Sequence, residues 1–209
     1  MRKLLFLPTL IAVIFAATAA RAETEEPRYS IIEKLGDIEI RQYGPRLAAE
    51  VIVQGEEERA RSEGFRLLAD YIFGNNTAQR SIAMTAPIAQ QVDRSEKIAM
   101  TAPVAQARGA GNSWRVRFFM PAKYTRDTLP TPNNPVVKIV ELPGETMSVL
   151  RYSNSRSAER VAAKTAELLR GLEGTRWAAA GVPVAWFYDP PWTLPFFRRN
   201  EVAVPVRAR

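Results

Sequence analysis

The sequence predicts an α+β fold, a duplicated strand-helix-strand unit that builds a distorted antiparallel β-barrel or sheet flanked by two main helices. Three observations predict it. Segments that alternate apolar and polar residues stand on both sides of two segments with helical periodicity. The order hairpin, helix, strands occurs twice along the chain, and glycine or proline stands at most of the junctions. The halves share this order rather than obvious residue identity, so the signal is one of architecture.

In the first unit, "SIIEKLGDIEIRQYGPRLAAEVIVQG" alternates Ile38 and Ile40 with Asp37, Glu39 and Arg41. It then alternates Leu47, Ala49, Val51 and Val53 with Ala48 and Glu50, the pattern of half-buried strands, and Gly36 and "YGP" at 43–45 supply turns. "EEERARSEGFRLLADYIFG" follows, with Phe65, Leu68 and Ile72 on one stripe beside Leu67 and Tyr71, acids in its first turn and Gly74 past its end. That is an amphipathic helix with both boundary signals. In "WRVRFFM", Trp114, Val116, Phe118 and Met120 share one face, and Arg115 and Arg117 the other.

The second unit repeats the order. "NPVVKIVELPGETMSVLRYS" reads as two strands around a Pro143–Gly144 turn. "SAERVAAKTAELLRGLEG" reads as a helix with Val161, Thr165, Leu168 and Leu172 on one stripe, ending at Gly174. Strands are then expected in "VPVAWFYD" and "EVAVPV", with "LPTPNNP" at 129–135 a loop.

The N-terminus has a different character. Met1, Arg2 and Lys3 precede the apolar run "LLFLPTLIAVIFAATAA", and Ala20 and Ala22 flank Arg21. This is the pattern of a cleavable secretory signal over residues 1–22, leaving 23–209 as a single domain in the periplasm or outside the cell. An uncleaved membrane anchor competes with that reading, but the run is short for a span of about 20 residues and Pro8 interrupts it. Removing Arg2, Lys3 and Arg21 lowers the formal charge from +7 to +4. The remaining arginines are scattered, and no basic stripe interleaved with aromatics points to nucleic acid.

Absent residue types narrow the chemistry. With no histidine and no cysteine, the usual zinc sites, cysteine or serine nucleophile systems that need histidine, and histidine-ligated haem are excluded. Export without cysteine leaves packing to stabilise the domain. Glu56, Glu57 and Glu58 sit where a helix starts and complement its dipole, so they read as capping charge rather than an acid/base pair. No phosphate-binding glycine loop appears, and no motif asks for an enzyme.

"SIAMTAPIAQQVDRSEKIAMTAPVAQ" carries Ile-Ala-Met-Thr-Ala-Pro at 82–87 and again at 98–103. The offset of sixteen is even, so a hairpin around "QVDRSE" would put Met84 and Met100 on one face and Thr85 and Thr101 on the more polar one. Pro87 and Pro103 favour edges, bulges or strand ends. Two methionines a strand apart suit either core filling or a flat apolar ligand.

"KIAMTAPV" at 97–104, "WRVRFFMPAKYTRDTLPTPNNPVV" at 114–137, "IEIRQYGP" within the Tyr29–Tyr43 region and the tail "GVPVAWFYDPPWTLPFFRRNEVAVPV" together resemble the SOUL, or haem-binding protein, family over essentially the whole mature chain. The resemblance implies a distorted β-barrel with two helices, built from a tandem repeat, that binds haem or another tetrapyrrole in an apolar groove beside a helix. Some members are proposed to use an axial histidine, which this chain lacks. Iron could meet only Met84, Met100, Met120 or Met147, a tyrosinate, a lysine, or no protein ligand. A macrocycle asks for apolar walls and cations for its carboxylates. Leu68, Tyr71, Met84, Met100 and Phe118 are the candidate walls, with Arg59 or Arg66 for the propionates. The alternative is a module of the same fold for a different apolar or amphipathic small molecule, in the manner of effector-binding domains, with weak hydrolysis through Glu50 or Glu141 as a minor variant.

The tail holds Trp186, Phe187, Tyr188, Trp192, Phe196 and Phe197 with three prolines between them. One reading is a strand over 184–189, a stiff loop and a closing strand from about 201. The other is peripheral membrane contact through residues 186–199, with Arg198 and Arg199 beside the aromatics.

Overall fold

The computed structural model describes residues 24–93 and 112–209. The expected leader, the second Ile-Ala-Met-Thr-Ala-Pro copy and Met100 lie outside them.

The first unit contains β1 (Tyr29–Leu35), β2 (Ile38–Tyr43), β3 (Arg46–Gln54), α1 (Glu57–Ile72), β4 (Ile88–Val92) and β5 (Ser113–Phe119). The second contains β6 (Lys138–Leu142), β7 (Glu145–Tyr152), α2 (Ala158–Gly171), β8 (Trp177–Ala179), β9 (Val184–Phe187) and β10 (Asn200–Ala208). All strands pair antiparallel in one curled sheet of order β1-β2-β7-β10-β9-β4-β5-β3-β6, with β8 added on β10, and the sheet forms a half-barrel. This is the α+β class that the alternation and the two helical stripes predict.

The duplication is written in the strand order. Read outward from the β4–β9 pair, one side runs β5, β3, β6 and the other β10, β7, β2. β4 corresponds to β9, β5 to β10, β3 to β7 and β6 to β2, so a pseudo-twofold axis passes near the Ala89–Trp186 pair. The units are also interlocked. β2 pairs with β7 rather than β3, and β6 pairs with β3 rather than β7. The turns at "YGP" and "LPG" therefore carry the chain from one side of the sheet to the other instead of closing the hairpin expected around Pro143–Gly144. They pass so close that a Cβ on Gly144 would lie 3.1 Å from the Tyr43 carbonyl oxygen. One local hairpin does form, β1–β2, around Gly36 in its left-handed conformation (φ +61°).

Both helices lie on the outer face. α1 buries Ala60, Gly64, Leu68, Ala69, Tyr71 and Ile72 against Ala49, Val51, Val53, Val116 and Phe118. Gly64 permits this approach, since a Cβ there would lie 2.7 Å from Val116 Cγ2. Its first turn carries Glu57 and Glu58, the dipole complement expected from sequence. α2 is capped by the Ser157 hydroxyl, which accepts from the Arg160 amide, and Leu168 and Leu172 seat it on Ile38, Ile40, Leu150 and Val202.

The first Ile-Ala-Met-Thr-Ala-Pro copy is a lead-in to β4 rather than a ladder strand. Ile82 is buried, and Thr85 is buried too instead of facing solvent. Its hydroxyl donates to the Phe119 carbonyl, which satisfies a polar group that burial would otherwise penalise. Ala86–Pro87 is a cis peptide, the irregularity that proline at a strand start permits.

Candidate functional site

The inner face of the half-barrel is built from residues at the opposite strand parity to the helix-facing ones. β2 sends Arg41 and Tyr43 inward, β3 Arg46, Ala48 and Glu50, and β5 Arg115, Arg117 and Phe119. β7 contributes Met147 and Val149, β9 Trp186, and β10 Glu201 and Ala203. Tyr43 and Trp186 meet edge to face with centroids 5.6 Å apart.

At the centre sits the Glu201 carboxylate, 0% exposed, with Arg41 beside it at 4%. Arg41 donates from both terminal nitrogens, at 2.9 and 3.2 Å. Arg199 donates twice, at 3.2 and 3.1 Å, and the Tyr188 hydroxyl at 2.7 Å. Arg41 in turn holds Glu39 at 2.8 Å, and Arg199 holds Glu26 at 3.0 Å. The result is a buried charge network with every member partnered. Burial opposes the charge on Arg41, but the hydrogen bonds and attraction of Glu201 outweigh it and raise its pKa. Tyr188 is pushed up by burial and by the neighbouring carboxylate.

The phenols give this interior an alkaline limit. Burial lifts Tyr43, Tyr71 and Tyr152 each to about 12. The unfolded chain releases these protons from about pH 10, so the folded state keeps protons that the unfolded state loses. Their stabilisation is complete below that pH and is lost as pH rises towards 12. A urea midpoint that is flat through neutral pH should fall above about pH 10, with a shallower fall in Tyr43→Phe. An unchanged slope in that variant would remove Tyr43 from the account.

Residues 24–28 lie across the mouth of the half-barrel. Ala86 N–H donates to the Glu25 carbonyl at 2.9 Å, and Ala122 N–H to the Glu25 carboxylate at 2.7 Å. With the Glu26–Arg199 ion pair these contacts close the strap over Tyr29, Tyr43, Phe119, Trp186 and Tyr188, leaving only about 10 Å³ beneath it. Beside the strap a groove of about 840 Å³ remains open. Pro45, Leu47, Pro121, Tyr124, Leu142 and Pro143 supply its apolar walls. Arg28, Arg46 and Arg126 supply cations, and Glu25, Glu26 and Glu141 acids. The Arg46 guanidinium lies over the Tyr43 and Phe119 rings at 4.3 and 5.0 Å. Its Nη2 is committed to Glu145, while Nε and Nη1 find no acceptor among the described residues.

The sequence candidates fall elsewhere. Leu68, Tyr71 and Phe118 come together at the α1–sheet boundary, none more than 2% exposed, and Met84 packs partly buried against the same cluster. The Tyr71 hydroxyl is spent on the Pro130 carbonyl at 2.8 Å. Arg59 and Arg66 are exposed on α1, and Met100 lies outside the described residues. Glu50 is engaged by Arg115 and Arg117, and Glu141 lies 3.8 Å from Arg126 at the surface. Periodicity missed Leu47, Arg46 and Leu142 as groove residues because they flank the two crossing turns, whose proximity follows from the strand exchange. The available signal was the glycine and proline punctuation at 43–45 and 143–144. Among the described residues no three acids cluster as a metal would require.

Several known proteins are similar to this chain. The model of a family described as SOUL heme-binding protein matches residues 24–205. Heme-binding protein 1 of Bos taurus is 26% identical over 159 residues, covering 76% of this chain and 77% of that protein. The Sus scrofa protein of the same name is 26% identical over 145 residues, covering 69% and 70%. Among solved structures, the EcmrR C-terminal domain superposes with a TM-score of 0.58 at 11% identity, covering 87% of this chain and 99% of that domain. An uncharacterized conserved protein from Listeria innocua superposes at 0.52 and 12% identity, covering 89% and 94%. These two likenesses concern the fold alone. With the family match running from the strap into β10, the chain belongs to the SOUL haem-binding protein family.

Proposed function

We propose that this protein binds haem or another tetrapyrrole in the groove at the mouth of the half-barrel, without histidine ligation, and that it does so as an exported carrier or scavenger with no chemistry of its own. The observation that carries the reading is the groove itself: about 840 Å³, within the range of small-molecule sites, with proline, leucine and tyrosine walls and three arginines around it. The residues present fit a macrocycle's periphery. Leu47, Leu142 and Tyr124 would cover its faces, and Arg28 and Arg126 would meet its carboxylates. Among the described residues no methionine lines this groove, and Tyr124 is the phenol in its wall. What these residues supply is burial and charge pairing. Haem contributes its own iron chemistry when bound; Leu47 and Leu142 exclude water and the arginines orient the propionates. The leader at residues 1–22 supports export to the periplasm or beyond.

A titration with ferric haem, against an unrelated basic protein as control, tests this. A saturable 1:1 Soret change is expected, and Arg28→Ala with Arg126→Ala should weaken it by about three- to tenfold, the scale of two exposed charge pairs. Arg59→Ala with Arg66→Ala should leave it unchanged. The reverse pattern would move the ligand to the outer face of α1, and a change no greater than the control's would end the tetrapyrrole reading. Glu25, Glu26 and Glu141 around the same groove favour one second reading, a cationic amphiphile in place of an anionic macrocycle.

A further inference from the structure

The aromatic tail divides sharply. Trp186 and Phe187 are buried in β9, and Tyr188 reaches the Glu201 network. Residues 190–198 then leave the sheet as a loop whose large apolar side chains are mostly exposed. Trp192 is 82% exposed and Phe197 71%, with Leu194 and Phe196 also exposed. A folded protein keeps single apolar residues at its surface without cost to explain, but four on nine consecutive residues form a patch of the kind that marks an interaction site.

This loop is held stiff. Pro190, Pro191 and Pro195 restrict its backbone. Arg198, half-exposed, donates from Nε to the Thr193 carbonyl at 2.7 Å and from Nη2 to the Pro191 carbonyl at 2.8 Å, bracing the loop's backbone. Asn154 N–H donates to the Pro195 carbonyl at 2.9 Å, and residues 195–197 make a single 3-10 turn. Phe196 and Phe197 lie with ring centroids 4.4 Å apart. The apolar tip is thus presented with little conformational entropy left to lose on binding.

Its base is cationic. Arg156 reaches the Asp189 carbonyl at 3.3 Å, and burial together with the neighbouring Arg198 and Arg61 guanidiniums holds its pKa below the usual arginine range. Asp189 is the acid within the loop's base, its carboxylate accepting from the Arg199 amide at 2.6 Å. A rigid apolar wedge ringed by guanidiniums matches a surface with a soft apolar interior under anionic groups. Four side chains on one loop fall short of the roughly 800 Å² that each partner gives to a standard protein interface. They suit insertion of about 5–10 Å at the headgroup boundary, where tryptophan is favoured.

We propose that residues 190–198 dock this protein on anionic lipid bilayers, with Trp192, Leu194, Phe196 and Phe197 entering the headgroup region and Arg156 and Arg198 facing the phosphates. No described helix is long and apolar enough to cross a membrane. The proposal stands on the loop alone and holds whatever the groove binds.

The test uses vesicles of phosphatidylcholine with phosphatidylglycerol, and the same vesicles carrying bromine on their acyl chains. The wild type should sediment with them, and the bromine should quench tryptophan emission. Trp192→Phe should abolish the quenching, because Trp114, Trp177 and Trp186 lie in the body of the fold. Trp192→Ser with Phe196→Ser and Phe197→Ser should weaken sedimentation by at least about tenfold, with a thermal transition matching the wild type's. Every variant carries the same N-terminus, so differences between them belong to the loop. Equal sedimentation of the triple variant, quenching that survives in Trp192→Phe, equal binding to pure phosphatidylcholine, or a wild-type dimer that the triple variant dissolves would each overturn the proposal, the last by giving the loop to a second copy.

Discussion

Arg41→Met should lower the unfolding free energy by about 3 kcal/mol, the scale of removing one partner from a buried ion pair. The reason is asymmetric. Glu201 is fully enclosed, and Arg41 provides two of the five hydrogen bonds that compensate its lost hydration. Methionine fills much of the arginine's volume, so the loss measures charge rather than a cavity. Adding Glu201→Gln to Arg41→Met should recover part of the deficit, since the stranded carboxylate is then gone. Urea unfolding of the four members of the cycle gives the coupling directly. A single variant within about 0.5 kcal/mol of the wild type would mean that water reaches Glu201.

Leu68→Ala should cost about 2–5 kcal/mol, a large share of the roughly 5–15 kcal/mol typical of whole domains. Leu68 is enclosed between α1 and the sheet, where Val116 and the aromatic ring of Phe118 cannot collapse into the space because Gly64 already brings the helix backbone close. The same substitution separates a core residue from a ligand wall. If Leu68 is core, stability falls and haem affinity, measured at a temperature where both proteins are folded, stays constant. Affinity that falls while the urea midpoint does not would return the residue to the ligand.

Much of the fold was legible because alternation and helical stripes report which side of an element is dry. Val116 and Phe118 were readable as one face of β5, and Arg115 and Arg117 as the other, from parity alone. What parity cannot report is what lies across a sheet. "LPG" at 142–144 has the composition of a hairpin turn, yet β6 leaves it for β3 and β7 for β2. The groove exists because of that exchange, which explains why Leu47, Tyr124 and Leu142 escaped sequence reasoning while Leu68 and Tyr71 drew it. Glu201 was equally hidden. It stands in a run of valines and alanine as one acid, and its four guanidinium contacts come from Arg41, 160 residues earlier, and from its near neighbour Arg199. The tail splits at a point that periodicity does not mark: 186–188 enter the interior, and 192–197 do not.

β10 lies between β7 and β9 and also carries β8, so residues 200–208 join the β1-β2-β7 side of the sheet to the β9-β4-β5-β3-β6 side. The other nine described strands all precede it in the chain. During synthesis the β2–β7 and β4–β9 ladders can form on either side, but the gap between them stays open until this stretch has emerged. A chain organised in this way postpones its own closure, and stays threadable for as long as its middle is missing.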